Sequence, residues 1–401
     1  MHWKARWIAT AIVSVSAVAA LIALRRASGP AMSLEQQFER IVAEAVAHDA
    51  SVKNCVLSVM TGDGSLVWAG AAGVAHHTDS APMAPDSPIY IASVTKLYTA
   101  TAVLLLQERG SLSLDDPMAK YLPPDLIGSI HQYDGIDYST RITIRQLLSH
   151  RSGIADYYEE KAGDGKNLFE LVTEHPDRTW TVNETIARAR TLKAHFVPGT
   201  GTFYSDTNYQ LLGKIVEAVT GRALSAVFQE FFFTPLNLTH THLGAQPAPA
   251  AKPADVFDGM SDITEARASG AYWADGGMVS TAGEMNLFLK ALNEGRIIRP
   301  ESLRSMHDWH PWRFPLRYGL GTMSFELPGL VARSSGLRAL WGHSGSTGSF
   351  LYRSDELDLY MAGTLDQTEA RVDAFLLLRR VMQAFEATQR HQEATRQHGP
   401  G

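Results

Sequence analysis

The pattern of apolar and polar positions divides this chain into segments of different period. Residues 7–24 carry no charge, with Lys4 and Arg6 before them and Arg25-Arg26 after. Such a run sits at the short end of a membrane-spanning helix and exceeds most signal-peptide cores. We read residues 1–30 as an N-terminal membrane anchor or a signal peptide, and either places the remainder outside the cytoplasm. From Ser33 the period becomes helical. Leu34, Phe38, Ile41, Val42, Ala45 and Val46 form one stripe, and Ser33 with Gln36 forms a capping box. Strand-like runs follow at residues 55–61 and 66–69, joined by the hairpin signal Gly62-Asp-Gly64. Residues 71–88 read as loop, interrupted by Pro82, Pro85 and Pro88.

A short apolar run, residues 89–91, then leads to Ser93, and a helical pattern continues to Glu108 and stops at Gly110. The stretch to about Trp273 predicts helices and long loops. Helices start near Ile144 and after Thr181. Another covers 208–220, with Leu211, Leu212, Ile215, Val216 and Val219 on one side and Gly221 at its end. Residues 223–233 read as a helix stopped at Pro235, and residues 246–253 as a proline-rich loop. Strand signals return at 318–325, 349–353 and 357–364. A final helix is predicted over 369–387, before a polar tail, 389–401, read as disordered.

Strands at both ends with helices between predict a mixed α/β (α+β) architecture. An antiparallel sheet flanked by helices is built from residues 31–92 and 275–388. A mostly helical domain, 93–274, is inserted, and the crevice between the two is the default pocket. Composition narrows the chemistry. The 401 residues are 45% hydrophobic and 19% charged, as in an ordered globular protein. A net charge of -6 offers no broad basic face to nucleic acid. The one cysteine, Cys55, excludes an internal disulfide and a cysteine zinc site, and it falls in an alternating strand pattern that predicts burial. Fifteen histidines include His76-His77, His240-x-His242 and His307-x-x-His310, but no helical H-E-x-x-H. We read them as surface or loop histidines and expect no metal or other cofactor.

Three short elements carry possible chemistry. Ser93-x-x-Lys96 puts a hydroxyl and an amine on one helical face, as a nucleophile and its base require. That spacing is common by chance. Tyr204-Ser-Asp206 precedes a helix, where a phenol is placed to pass a proton into a crevice or simply to brace the turn. His343-Ser344-Gly345-Ser346 precedes the last two strands. There His343 offers a polar contact or a proton, or is only a histidine at a strand end.

Together these elements resemble the serine β-lactamase and penicillin-binding protein superfamily, and most closely its class C-like branch. That branch includes D-alanyl-D-alanine carboxypeptidases, D-aminopeptidases and esterases. The resemblance extends from about Ser33 to Ala387. It includes Ile144-Arg-Gln-Leu-Leu-Ser-His150-Arg-Ser-Gly153, Phe196-Val-Pro-Gly199 and Gly276-Gly-Met-Val-Ser-Thr281. It implies an acyl-serine mechanism with Ser93 as nucleophile, Lys96 and Tyr204 sharing the proton traffic, and His343 positioning substrate or assisting proton transfer. The backbone N–H groups of Ser93 and Ser346 would form the oxyanion hole. Asp206, Ser344 and Gly345 would contact substrate, a small molecule or a peptide, in a bacterial periplasm or at a cell surface. Two departures bear on substrate. Asp206 stands where β-lactamases commonly have asparagine, and an ionised carboxylate only accepts hydrogen bonds. It also favours a charged Lys96. His343 stands where many penicillin-recognising enzymes have lysine, so less fixed positive charge faces a substrate carboxylate. Weak or no β-lactamase activity is therefore expected, and an ester or unusual amide is the expected substrate. The alternative is a membrane-tethered sensor or binding protein on this fold without turnover.

Overall fold

A computed structural model describes residues 32–244, 251–327 and 338–397. The run at 7–24 lies outside the described residues. Among those described, no helix is long and apolar enough to cross a membrane. Helix α1 (Leu34–Ala47) opens the fold with the expected capping box: Ser33 N–H donates to Gln36 Oε1 at 2.9 Å and Gln36 N–H to Ser33 Oγ at 3.2 Å. Strands β1 (Asn54–Thr61), β2 (Val67–His76) and β3 (Ala81–Pro82) follow, so much of the stretch read as loop is paired strand. After β4 (Ile89–Tyr90) a single 3₁₀ turn, Ala92–Val94, feeds helix α2 (Thr95–Glu108). Helix α3 (Asp206–Thr220) packs across α2, and Gly221, at φ 68°, ends it in the left-handed conformation that glycine adopts without cost. Strands β5 (His242–Leu243) and β6 (Met278–Ser280) join β4 in a small sheet, and helix α4 (Ala282–Asn293) comes next.

The rest of the chain is β7 (His310–Arg313), β8 (Leu316–Tyr318), β9 (Met323–Phe325), β10 (Leu340–Ser344), β11 (Phe350–Ser354), β12 (Leu359–Thr364) and helix α5 (Arg371–Gln397). The large sheet is antiparallel with order β7-β8-β9-β10-β11-β12-β1-β2-β3. The two ends of the chain thus meet at β12 and β1, where Leu57 faces Gly363 on one side and Gly70 on the other. Every residue of β1 is buried, because helices cover both faces of the sheet. Cys55, Leu57 and Val59 join Phe38, Ile41 and Val42 of α1 and Leu378, Val381 and Met382 of α5. Val56 and Met60 point the other way, into the core that holds α2, α3 and α4. Cys55 is fully buried, as its strand pattern predicts.

Four boundaries differ from expectation. The strand expected over 318–325 is two, because Gly319 and Gly321 turn the chain between β8 and β9. A Cβ at Gly319 would lie 2.0 Å from the Met306 carbonyl. Strand β7 is irregular between Pro311 and Arg313, and β10 is buried at four of its five positions, so neither shows an apolar–polar alternation. Pro235 does not stop the segment before it: the helical run Leu224–Phe228 continues through a π turn, Gln229–Phe233, into Thr234–Leu236, which holds the proline. Finally, α5 runs to Gln397, through most of the tail expected to be disordered, although Phe385 is its last buried apolar residue.

Candidate active site

Ser93 is reached through a strained step. Ala92 has φ 45°, uncommon for a residue with a Cβ, and this turns the chain from β4 into α2. Ser93 is half-buried and Lys96, one turn on, is fully buried. Lys96 Nζ lies 3.0 Å from Ser93 Oγ, 2.7 Å from the Asp275 carbonyl and 2.5 Å from Asp206 Oδ1. The Asp275 carbonyl only accepts and takes an N–H hydrogen, whereas Asp206 Oδ1 meets Nζ as an ion pair outside hydrogen-bond geometry. The direction towards Ser93 carries a hydrogen in the ammonium and a lone pair in the amine.

Asp206 is the first residue of α3, where the free N–H groups and the dipole of the helix favour a carboxylate. The turn before it is fastened to the loop 150–157. Ser205 Oγ and Thr207 Oγ1 both donate to the Ala155 carbonyl, at 3.0 and 2.7 Å. The Asp206 N–H donates to buried Asp156 at 3.0 Å. Tyr204 is half-buried and ringed by aromatics, stacking on Trp312 (centroids 5.2 Å apart) and lying tilted against His150 (4.2 Å). Burial, then the Asp206 charge, hold its phenol well above the usual tyrosine range, while the hydrogen-bonded Ser93 hydroxyl acts the other way. The resting phenol therefore keeps its proton and is a donor. Lys96 Nζ is 4.9 Å from the centre of the same ring.

The third element is bolted to the approach to Ser93. Thr347 Oγ1 donates to the Tyr90 carbonyl at 3.0 Å and Ser349 Oγ to the Ile91 carbonyl at 2.8 Å. Gly345 lies so close that a Cβ there would be 2.7 Å from the Ile91 carbonyl and 3.0 Å from the Ala92 Cβ. Neither the Ser93 N–H nor the Ser346 N–H donates to a carbonyl among the described residues, which leaves both free for an external acceptor. His343 is fully buried and engaged within the protein. Its Nδ1 donates to the Ser344 carbonyl at 2.8 Å, so Nε2, 3.1 Å from the Tyr318 hydroxyl, accepts. Burial, reinforced by the Lys96 charge, lowers the His343 pKa to about 3 and keeps the ring neutral. Ser344 Oγ pairs with the Tyr352 hydroxyl at 2.7 Å, on the sheet face away from His343. The structure therefore gathers Ser93, Lys96, Tyr204 and Asp206 around one point, with Gly345 and Ser346 held beside Ser93. It turns the hydroxyl of Ser344 and both nitrogens of His343 to neighbouring protein groups.

Sequence reasoning missed the support of this site. His150, at φ 55° and fully buried, accepts through Nδ1 from the Ser205 N–H and from Asn208, each at 3.1 Å, and braces Tyr204. Buried Asp156 and Asp275 flank Asp206. Only His150 and the glycines after Asp275 stood within stretches singled out by pattern. Elsewhere, His76 and His77 are not simple surface histidines, since both bond the buried Asp255 carboxylate, at 3.2 and 2.7 Å. Of these, His77 and Asp255, with Asp262, bring donor atoms of metal-ligating type within 4.8 Å of one another. Lys252, 3.3 Å from Asp255, already helps to neutralise that carboxylate.

The nine-stranded antiparallel sheet, the helices over both faces and a serine–lysine pair with a tyrosine beside it are the arrangement of a β-lactamase-type fold. Residues 38–384 match the family model "Beta-lactamase", and the chain belongs to that family. It is 31% identical over 185 residues to esterase EstB of Burkholderia gladioli, a match covering 45% of this chain and 45% of that protein. The chain thus spans under half the length of that curated relative in the matched stretch. Among solved structures, a D-stereospecific amidohydrolase from Streptomyces sp. is 29% identical with a TM-score of 0.68, covering 83% of this chain and 94% of that one. A D-amino acid amidase from Ochrobactrum anthropi SV3 is 26% identical with a TM-score of 0.73, covering 89% of this chain and 99% of that one.

Proposed function

We propose that this protein is a serine hydrolase that cleaves esters or amides through an acyl-serine intermediate. The observation that carries the reading is Lys96 Nζ, fully buried and 3.0 Å from Ser93 Oγ, beside a protonated Tyr204 phenol. Lys96, as the amine, takes the Ser93 proton while Oγ bonds to the substrate carbonyl carbon. Asp206 and the Asp275 carbonyl hold the ammonium so formed. The N–H groups of Ser93 and Ser346 receive the developing oxyanion. Tyr204 gives its proton to the departing oxygen or nitrogen and recovers one from Lys96. Water then follows the same route and releases the acid. His343, neutral and bound to Tyr318, acts as support for the aromatic ring around Tyr204.

A neutral His343 adds no cation for a substrate carboxylate. That favours substrates without a carboxylate near the scissile bond, as in simple esters and amino-acid amides, over penicillins and over carboxypeptidase substrates. The test compares the wild type with Ser93→Ala, using a fluorophosphonate label, p-nitrophenyl butyrate, D-phenylalanine amide, D-alanyl-D-alanine peptides and nitrocefin. Labelling and turnover of the ester or the amide, lost in Ser93→Ala, is the expected result. Equal, negligible labelling of both proteins with no substrate turned over would leave a binding protein as the reading. Lys96→Ala and Tyr204→Phe are each expected to lower acylation about 10²-fold or more. We also place the protein outside the cytoplasm, on the strength of residues 7–24, and fractionation of cells expressing a C-terminally tagged chain checks this.

A further inference from the structure

The Lys96 ammonium depends on a carbonyl, and that carbonyl belongs to a residue whose own side chain is buried and ionisable. Asp275 is 2% exposed. Its main-chain oxygen receives Lys96 at 2.7 Å. Its carboxyl is held from three directions: by the Tyr157 hydroxyl at 2.7 Å, by Gln210 Nε2 at 2.9 Å and by the Trp273 N–H at 2.9 Å. Tyr157 and Gln210 are themselves fully buried and also reach the Ala271 carbonyl, at 2.9 and 3.3 Å. The neighbouring carbonyls are taken in the same manner, Ala274 by Thr99 Oγ1 at 2.6 Å and Gly276 by Arg267 at 3.0 Å. Three consecutive carbonyls, 274 to 276, thus each meet a side chain. Two of those side chains, Lys96 and Thr99, come from one face of α2.

An aspartate is a costly choice for this place. An isolated carboxylate in the interior is strongly disfavoured, and Asp206 and Lys96 both act on it electrostatically. A buried ionisable group with no path to the substrate calls for another role. We propose that Asp275 is a positioning residue for Lys96: by tying its own loop to Tyr157 and Gln210, it fixes the carbonyl that sets where Lys96 Nζ sits relative to Ser93. The work is geometric. An amide at 275 reproduces it, because its nitrogen donates to the Tyr157 oxygen while that phenol donates to Ala271, and its oxygen still accepts from Gln210 and Trp273. A methyl group at 275 reproduces none of it. A base displaced by about 1 Å loses on the order of 10²-fold in rate while substrate binding is untouched.

The inference rests on the serine-hydrolase reading above. The experiment measures kcat and KM for p-nitrophenyl butyrate, with the thermal midpoint as the check of folding, in Asp275→Ala, Asp275→Asn and Tyr157→Phe. Asp275→Ala is expected to lose about 10²-fold in kcat with KM within about 3-fold, and Asp275→Asn to keep kcat within about 5-fold. Tyr157→Phe should lose part of kcat, and adding it to Asp275→Ala should cost nothing further, since both release the same loop. If Asp275→Ala does not fold, Tyr157→Phe and Gln210→Leu decide by the same split of kcat from KM. A folded Asp275→Ala with wild-type kcat overturns the inference. So does an Asp275→Asn as damaged as the alanine variant, or a loss shared equally by kcat and KM. A wild type with no Ser93-dependent turnover removes the functional reading itself, whereas an active wild type with indifferent variants removes only this step.

Discussion

Asp206 and Lys96 form the pair on which the energetics of this site turn. The carboxylate is 2.5 Å from an ammonium with no exposure of its own. Removing one partner of a buried pair leaves the other charge without compensation and costs about 3–5 kcal/mol. Asp206→Asn is therefore expected to lower the urea midpoint clearly, and adding Lys96→Met should recover most of the loss. An unchanged midpoint in the single variant would show that the pair contributes nothing net. Asp275 carries a pH signature. Burial, then the Asp206 charge, raise its pKa to about 6, against the opposing pull of Lys96. In the unfolded chain an aspartate titrates near about 3.9. The folded state thus holds the proton more tightly, and this contribution to stability is complete below about pH 4 and lost as pH rises through 6. Asp275→Asn does not titrate. Its midpoint relative to wild type should rise between pH 4 and pH 7, and a flat difference contradicts the assignment. At this scale the sequence was readable where residues are local. Ser93 and Lys96 share a helical face by spacing alone, and Tyr204 and Asp206 were placed beside them by the order of motifs. Asp156, Tyr157 and Asp275 left no such mark, because loops bring them in and their partners are distant carbonyls and amides.

The elements that matter most are turns. The turn after β10 is tied through Thr347 and Ser349 to the carbonyls of Tyr90 and Ile91, immediately before the 3₁₀ turn at Ala92–Val94. Gly345 permits that contact, since a Cβ would lie 2.0 Å from Ser349 Oγ as well as against Ile91. Gly345→Ala is expected to push Ser346 away from Ser93 and to lower acylation about 10²-fold, the usual loss for one oxyanion donor. Substrate half-saturation and the far-ultraviolet dichroism should change little. Wild-type acylation in that variant would take Ser346 out of the mechanism. Helices with a regular stripe, such as α1 and α3, were legible from periodicity. Helix α2 was legible as a helical pattern but without a one-sided stripe, because it is buried nearly all round. Three-residue strands such as β8 and β9 hold too few positions for an alternation to register. The length of α5 was hidden for the opposite reason, since its last turns bury no apolar residue and composition alone reads as tail.

Across the whole molecule, one sheet face is closed by helices from opposite ends of the sequence. Helices α1 and α5 share a core of Phe38, Ile41, Leu377, Leu378, Val381, Met382 and Phe385, and Arg380 pairs with Glu44. A chain ending at residue 370 loses the five α5 side chains, each contributing about 1.5–3 kcal/mol. The sum is comparable with the whole stability of a typical protein, about 5–15 kcal/mol. That truncation is expected not to fold. A chain ending at residue 388 keeps all five and the Arg338–Glu386 pair, and its thermal midpoint should fall by no more than about 2 °C. Folded, active protein from the shorter chain would refute the role given to α5. That both chain ends enter one sheet was readable from where strand signals fell. The pairing of β1 with β12 was not, because register between distant segments depends on neighbours that a single strand's pattern does not name.

That pairing has a consequence for biosynthesis. Ser93 and Lys96 leave the ribosome well before Ser346 and β12, the partner of β1. Under the proposed mechanism, a nascent chain carries Ser93 without the finished sheet and without the Ser346 N–H, so its acylation chemistry waits for β12 to pair with β1.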